Sequence, residues 1–168
     1  MIRQILKAFK ALNSNAKPWQ ISLGVCFGMV LGLTPLWNLH NLILLLLAFI
    51  INLNIAVMIL SFGLFSGFGY ILDPYFHELG YMLLKNEALN AFWTNFFSCP
   101  VFILSNLNNS IVMGSLVISL ILAVPLFLGF NLFVEKYRNS LKVFLDKVPL
   151  LKSLKVVKIY DTLMGGRG

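Results

Sequence analysis

The chain reads as an all-α polytopic membrane protein: glycine-rich helical hairpins, one long C-terminal transmembrane helix, and basic amphipathic helices at both termini. Three observations lead there. Of the 168 residues, 59% are hydrophobic and 11% charged, and the mean hydropathy is +0.86. A soluble domain needs more polar surface than that. The charge is also segregated. Arg3, Lys7, Lys10 and Lys17 precede the first long apolar stretch, eight basic residues from Lys136 to Arg167 follow the last, and Lys85 alone lies between. A net charge of +7 would suggest nucleic acid in a globular chain, but basic residues held at the ends of apolar segments are the mark of the positive-inside bias. Both termini are therefore expected on the cytoplasmic side of the membrane, with no nucleic-acid partner.

Residues 1–17 form the first expected unit. Ile2, Ile5, Leu6, Phe9 and Leu12 recur at helical spacing, with Arg3, Lys7 and Lys10 on other faces. Such a helix lies on an anionic leaflet, or packs on the protein's own cytoplasmic face. The apolar stretch that follows resembles the core of a signal peptide, but Thr34-Pro35-Leu36-Trp37 is a poor cleavage context and the segment is expected to be retained.

Residues 18–84 are expected to be a membrane hairpin module. The run 19–34 ends at Pro35 and reaches about 24 Å, short of the roughly 30 Å hydrocarbon core. It either spans with thinning or is one arm of a re-entrant hairpin. The run 42–51 stops at Asn52-Leu53-Asn54, and the run 55–72 is expected to close at Asp73-Pro74. A continuous helix over 39–72 would be about 50 Å long, so a break at residues 52–54 is the better reading. Residues 85–110, rich in aromatic and asparagine positions, suit an outside or interfacial segment. Residues 111–134 carry no charge and form the expected transmembrane helix, in which Pro125 is tolerated. The basic tail 135–168 is expected to be amphipathic and cytoplasmic.

Gly24, Gly28 and Gly32 make two overlapping GxxxG steps, and Gly63 with Gly67 repeats the spacing. Small residues let backbones approach closely, which is how helices associate in lipid. They seat the helix on its own neighbour or on a second copy. Asn38, His40, Asn41, Asn52 and Asn54 mark the ends of apolar runs. They either cap helices or, if two broken helices meet at Asn52, Asn54 and His40, line a polar site.

No catalytic constellation stands out. His77-Glu78 lacks the second histidine four positions on, where Tyr81 stands, so the zinc-protease pattern fails. Cys26 and Cys99 fall in dissimilar surroundings and suggest no disulfide framework. Neither a metal, a cofactor nor an enzymatic activity is expected.

Pro18, Leu23-Gly24, Gly28, Gly32, Pro35, the Asn54 break, Leu79-Gly80 and Leu83-Leu84 together resemble the uncharacterised bacterial membrane family DUF2062 over residues 18–84. The family usually has an Asn-Pro pair where this chain reads Ser66-Gly67, and a basic residue where Asn52 stands. The resemblance implies the membrane hairpin fold and no established activity. The expected function is a small non-enzymatic inner-membrane subunit that binds anionic lipid and a larger envelope protein or itself, assisting movement of lipid or an envelope component. A small transporter or channel with a site at Asn52 and Asn54 is the alternative.

Overall fold

The computed structural model describes residues 16–147, with side chains through residue 140. The expected amphipathic helix over 1–17 falls almost wholly outside these residues, as does the tail beyond residue 147. Every regular element among the described residues is helical: α1 (Pro18–Leu33), α2 (Leu39–Ile50), α3 (Ile55–Lys85), a 3₁₀ turn (Glu87–Leu89), α4 (Asn90–Phe97), α5 (Pro100–Ile103) and α6 (Ser110–Lys147).

Helix α1 begins where Pro18 can start a helix without losing a needed donor. The Gln20 side chain accepts from the Lys17 N–H at 2.7 Å and donates to the Asn52 carbonyl at 2.7 Å. One side chain thus secures the start of α1 and the turn after α2. The helix is apolar on every side, as a centrally placed helix must be, and Ile21, Val25, Met29, Val30 and Leu33 are all buried.

Glycines decide what α1 packs against. A Cβ on Gly24 would lie 2.7 Å from the Asn54 carbonyl oxygen, and one on Gly32 would lie 2.8 Å from that of Phe62, while Gly28 faces the carbonyl of Met58. Each step of four along α1 meets a step of four along α3 in the same direction, so the two helices run parallel. Helix α2 makes the return journey outside this pair. It touches them through Leu44 and Ala48, which join a cluster with Leu31, Leu53 and Met58. Its opposite face is open, with Phe49 79% and Ile50 78% exposed.

Helix α3 starts at Asn54, whose side chain accepts from the Val57 N–H at 3.1 Å, and it does not close at Asp73-Pro74 as expected. It continues through Pro74 to Lys85. An internal proline costs about 3 kcal/mol, and here burial just beyond it offsets that cost. Phe76, 1% exposed, packs with Met29, Val30 and Leu33, and Gly80 lies directly against the Ser110 carbonyl.

Helix α6 runs antiparallel to both. Gly114 meets the Phe76 carbonyl, Cys26 Sγ donates to the Ala123 carbonyl at 3.4 Å, and Val134 packs with Ile21, Val25 and Val57. Arg138 Nη1 donates to the Ala16 carbonyl at 2.8 Å. The helix passes Pro125 and continues beyond Val134 without a break to Lys147, so the boundary expected at 134 is not a structural one. Two segments, Ile55–Lys85 and Ser110–Ser140, are long and apolar enough to cross a membrane by length and composition, and only 22% and 28% of their most apolar windows are buried inside the chain.

Gly63 and Gly67 differ from the ladder on α1. Among the described residues, no atom outside the local turn of α3 lies within 4 Å of the position a Cβ would take on either, so they sit on an outward face of α3 and pack against none of the other described helices. The reciprocal contact of Gly80 and Gly114 is where the helices come closest. We predict that Gly114→Leu lowers stability at or beyond the upper end of the ~1–3 kcal/mol typical of overpacking, because the obstructing atoms are backbone. Gly63→Leu should not lower it. Thermal unfolding of both variants in detergent checks this.

Candidate functional site

The densest polar cluster among the described residues closes the hairpin between α1 and α2. Pro35 cannot continue α1, and the Thr34 N–H makes the last helical bond, to the Val30 carbonyl at 3.1 Å. The Thr34 hydroxyl lies 2.7 Å from that same carbonyl and 2.9 Å from Asn41 Oδ1. One proton cannot serve both acceptors fully. Since the Val30 carbonyl already has the backbone N–H, the hydroxyl proton is best directed at Asn41.

The Asn41 amide nitrogen donates to the Pro35 carbonyl at 2.7 Å, and the Asn38 amide nitrogen donates to the same oxygen at 2.5 Å. Two donors on one carbonyl fix the amide orientations of both residues. Asn41 is 1% exposed, so its hydrogen bonds are made where water cannot replace them.

A third asparagine arrives from far along the chain. Asn106 Nδ2 donates to the Trp37 carbonyl at 3.0 Å and to Asn38 Oδ1 at 2.8 Å. Asn106 adopts a left-handed backbone, φ 53°, which asparagine tolerates better than most residues. The hairpin tip is thereby tied to the loop that leads into α6. The other end of the hairpin is tied as well, by Gln20 to Asn52 and by the Asn54 N–H to the Gln20 carbonyl at 3.0 Å.

These contacts divide the polar positions picked from the sequence into two sets. Asn38, His40 and Asn41 belong to the tip. Asn52 and Asn54 lie at the opposite end of α2, about 18 Å of helix away. A shared site of His40 with Asn52 and Asn54 is therefore not formed. Asn54 is a helix cap, and Asn52 contributes its backbone carbonyl. Both ring nitrogens of His40 are buried and find no hydrogen-bond partner among the described residues.

His77 and Glu78 are exposed on α3, and His77 Nδ1 lies 2.6 Å from the Ser110 hydroxyl. Among the described residues, no group of three His, Cys, Asp or Glu side chains could hold a metal ion. An open cleft of about 500 Å³ lies beyond the tip, lined by Leu84, Trp93, Thr94, Phe97, Ser98 and Asn108, all uncharged. What the tip can do chemically is hold backbone segments together with neutral amides. It presents no paired nucleophile and base.

Thr34, Asn106 and Gly114 escaped the sequence reading, and Gly80 entered it only through the family resemblance. Asn106 sits in the turn-rich run Ser105-Asn106-Leu107-Asn108-Asn109, which marks a turn but gives no hint of its partner.

A family model described as an uncharacterised protein conserved in bacteria, DUF2062, matches residues 1–141, well beyond the 18–84 stretch that carries the visible motifs. A protein of Treponema pallidum (strain Nichols), itself described as uncharacterised, is similar at 26% identity over 141 residues, covering 84% of this chain and 87% of that one. No solved structure matches.

Asn41→Ala should destabilise the fold by about 1–3 kcal/mol, the cost of leaving buried polar groups without partners. Asn52→Ala, which keeps the backbone carbonyl that Gln20 uses, should stay within about 0.5 kcal/mol of the parent. Equilibrium unfolding of the two variants measures the difference.

Proposed function

We propose that this chain, which belongs to the bacterial family DUF2062, is a small non-enzymatic multi-pass subunit of the inner membrane that eases movement of lipid or an envelope component. The observation that carries the membrane part is the direction of the apolar side chains. On α2, α3 and α6 most of them point away from the protein, an arrangement costly in water and favourable among acyl chains.

The placement of the ends adds support. Ala16, the Asn52 turn and Arg138 share one end of the bundle, whereas Trp37, Asn38 and Asn106 share the other. The hairpin thus runs beside α6 from Arg138 to the loop that precedes the helix. This supports a reading of four crossings, with the basic termini on the cytoplasmic side, near anionic lipid, in line with the positive-inside bias. Asp73, Glu78 and Glu87 then lie toward the outside, with Lys85 as the one basic residue among them.

Helix α2 supports a role in lipid movement. Its 12 residues give about 18 Å of helix against a core of roughly 30 Å. Polar, irregular segments flank both ends, and its open face is wholly apolar apart from them. Acyl chains beside such an arm must shorten or tilt, which thins the bilayer locally and lowers the barrier to a headgroup crossing it. The open Gly63 and Gly67 face on α3 is where a partner helix, from a larger envelope protein or a second copy, finds close backbone access.

Two measurements check this. In a Cys99→Ser background, Glu87→Cys should react with an impermeant maleimide added outside spheroplasts, and Asn52→Cys only after permeabilisation. The opposite pattern contradicts the sidedness. Vesicles containing the purified protein should exchange a fluorescent phospholipid between leaflets faster than protein-free vesicles, and equal rates would remove the lipid role.

A further inference from the structure

Residues 86–109 cap the end of the bundle that carries Asn38 and Asn106. Their composition differs from that of a loop facing water, since between Glu87 and Glu135 the chain contains no acidic or basic residue and no histidine. Helix α4 is fastened to the end of α3 by Trp93 Nε1, which donates to the Leu83 carbonyl at 2.9 Å. Phe96 of α4 stacks on Phe102 of α5, with ring centroids 4.2 Å apart. The two short helices therefore form one aromatic plate.

The plate leaves large apolar side chains uncovered. Val101, Phe102, Ile103 and Leu104 are all exposed, Leu104 by 67%, and across the Asn106 hydrogen bonds Trp37 is 93% exposed. One such residue on a surface is ordinary, but a contiguous group in an uncharged segment calls for an occupant. The surroundings favour lipid over a protein partner. The open apolar face of α2 begins close by, at Leu42, five residues after Trp37, and rings mixed with amides and hydroxyls are the chemistry of the headgroup boundary.

We propose that α4 and α5 lie in the leaflet farther from the termini, at the headgroup–acyl boundary, with Trp37 and residues 101–104 reaching the acyl chains. The contact is indifferent to lipid charge, because the plate has no cation to offer an anionic headgroup, in contrast to the basic ends. This rests on the membrane reading given under Proposed function.

The test uses the full chain with Cys99→Ser, reconstituted in phosphatidylcholine vesicles with and without phosphatidylglycerol. Spin labels are placed at Ile103→Cys and Leu104→Cys, both at exposed positions that should tolerate the change, and at Glu87→Cys as a water-facing reference. Collisions with oxygen, which concentrates in lipid, should exceed those with a water-soluble nickel chelate at 103 and 104, in both lipid mixtures. The ratio should be inverted at 87. Nickel-dominated relaxation at 103 and 104, in a protein that remains with the vesicles, overturns the proposal and leaves the plate as a surface for a protein partner. Lipid exposure that appears only with phosphatidylglycerol overturns its charge independence. Failure of the protein to enter vesicles at all overturns the membrane reading itself.

Discussion

Backbone approaching backbone is the interaction on which the rest of this structure depends. Gly24, Gly28 and Gly32 bring α1 against the carbonyls of α3, and Gly80 with Gly114 brings α3 against α6. In a solvent of acyl chains, burying leucine against leucine gains little, because the chains left behind are as apolar as the new neighbours. Close van der Waals contact along glycine faces supplies the attraction instead. This accounts for a bundle whose helices meet closely at small residues and whose outside carries many of its large apolar ones. Ser22, Ser115 and Ser119 are fully buried, while Leu120, Ile121, Leu128 and Leu132 are exposed.

Much of the architecture was legible because its signals are local. Pro18 and Pro35 bracket α1, Asn52 to Asn54 interrupt the next apolar run, and the uncharged stretch before Glu135 carries a helix through Pro125. Asp73-Pro74 gave a false stop. Proline is a local penalty, and no local rule weighs it against Phe76 and Gly80 packing on helices thirty or more residues away. Spacing likewise selects glycines without telling which way they face, so Gly63 and Gly67 looked like the ladder on α1 although they meet no other helix among the described residues. The tip was half legible: Asn38 and Asn41 stood out as polar residues beside apolar runs, whereas Asn106 joins them only through folding, 68 positions along from Asn38.

The two ends of the bundle are built differently. At one, Gln20 gathers Lys17, Asn52 and Asn54, and Arg138 reaches back to Ala16. At the other, Thr34, Asn38, Asn41 and Asn106 form a neutral knot of amides around the Pro35 carbonyl. Clamped at both ends, the hairpin has a central inner arm, α1, and holds a short apolar outer arm, α2, on the outside of the bundle. A frame that presents such an arm to its surroundings has a use only if those surroundings are apolar.

The claim that lipid is the solvent of this outer surface is tested most directly by extracting cell membranes containing the full-length chain with alkaline carbonate, followed by flotation on a density gradient. The account predicts that the chain floats with the bilayer and leaves it only when detergent is added. Recovery as a monodisperse species in detergent-free buffer would contradict it, because the exposed faces of α2, α3 and α6 would then have to be stable against water.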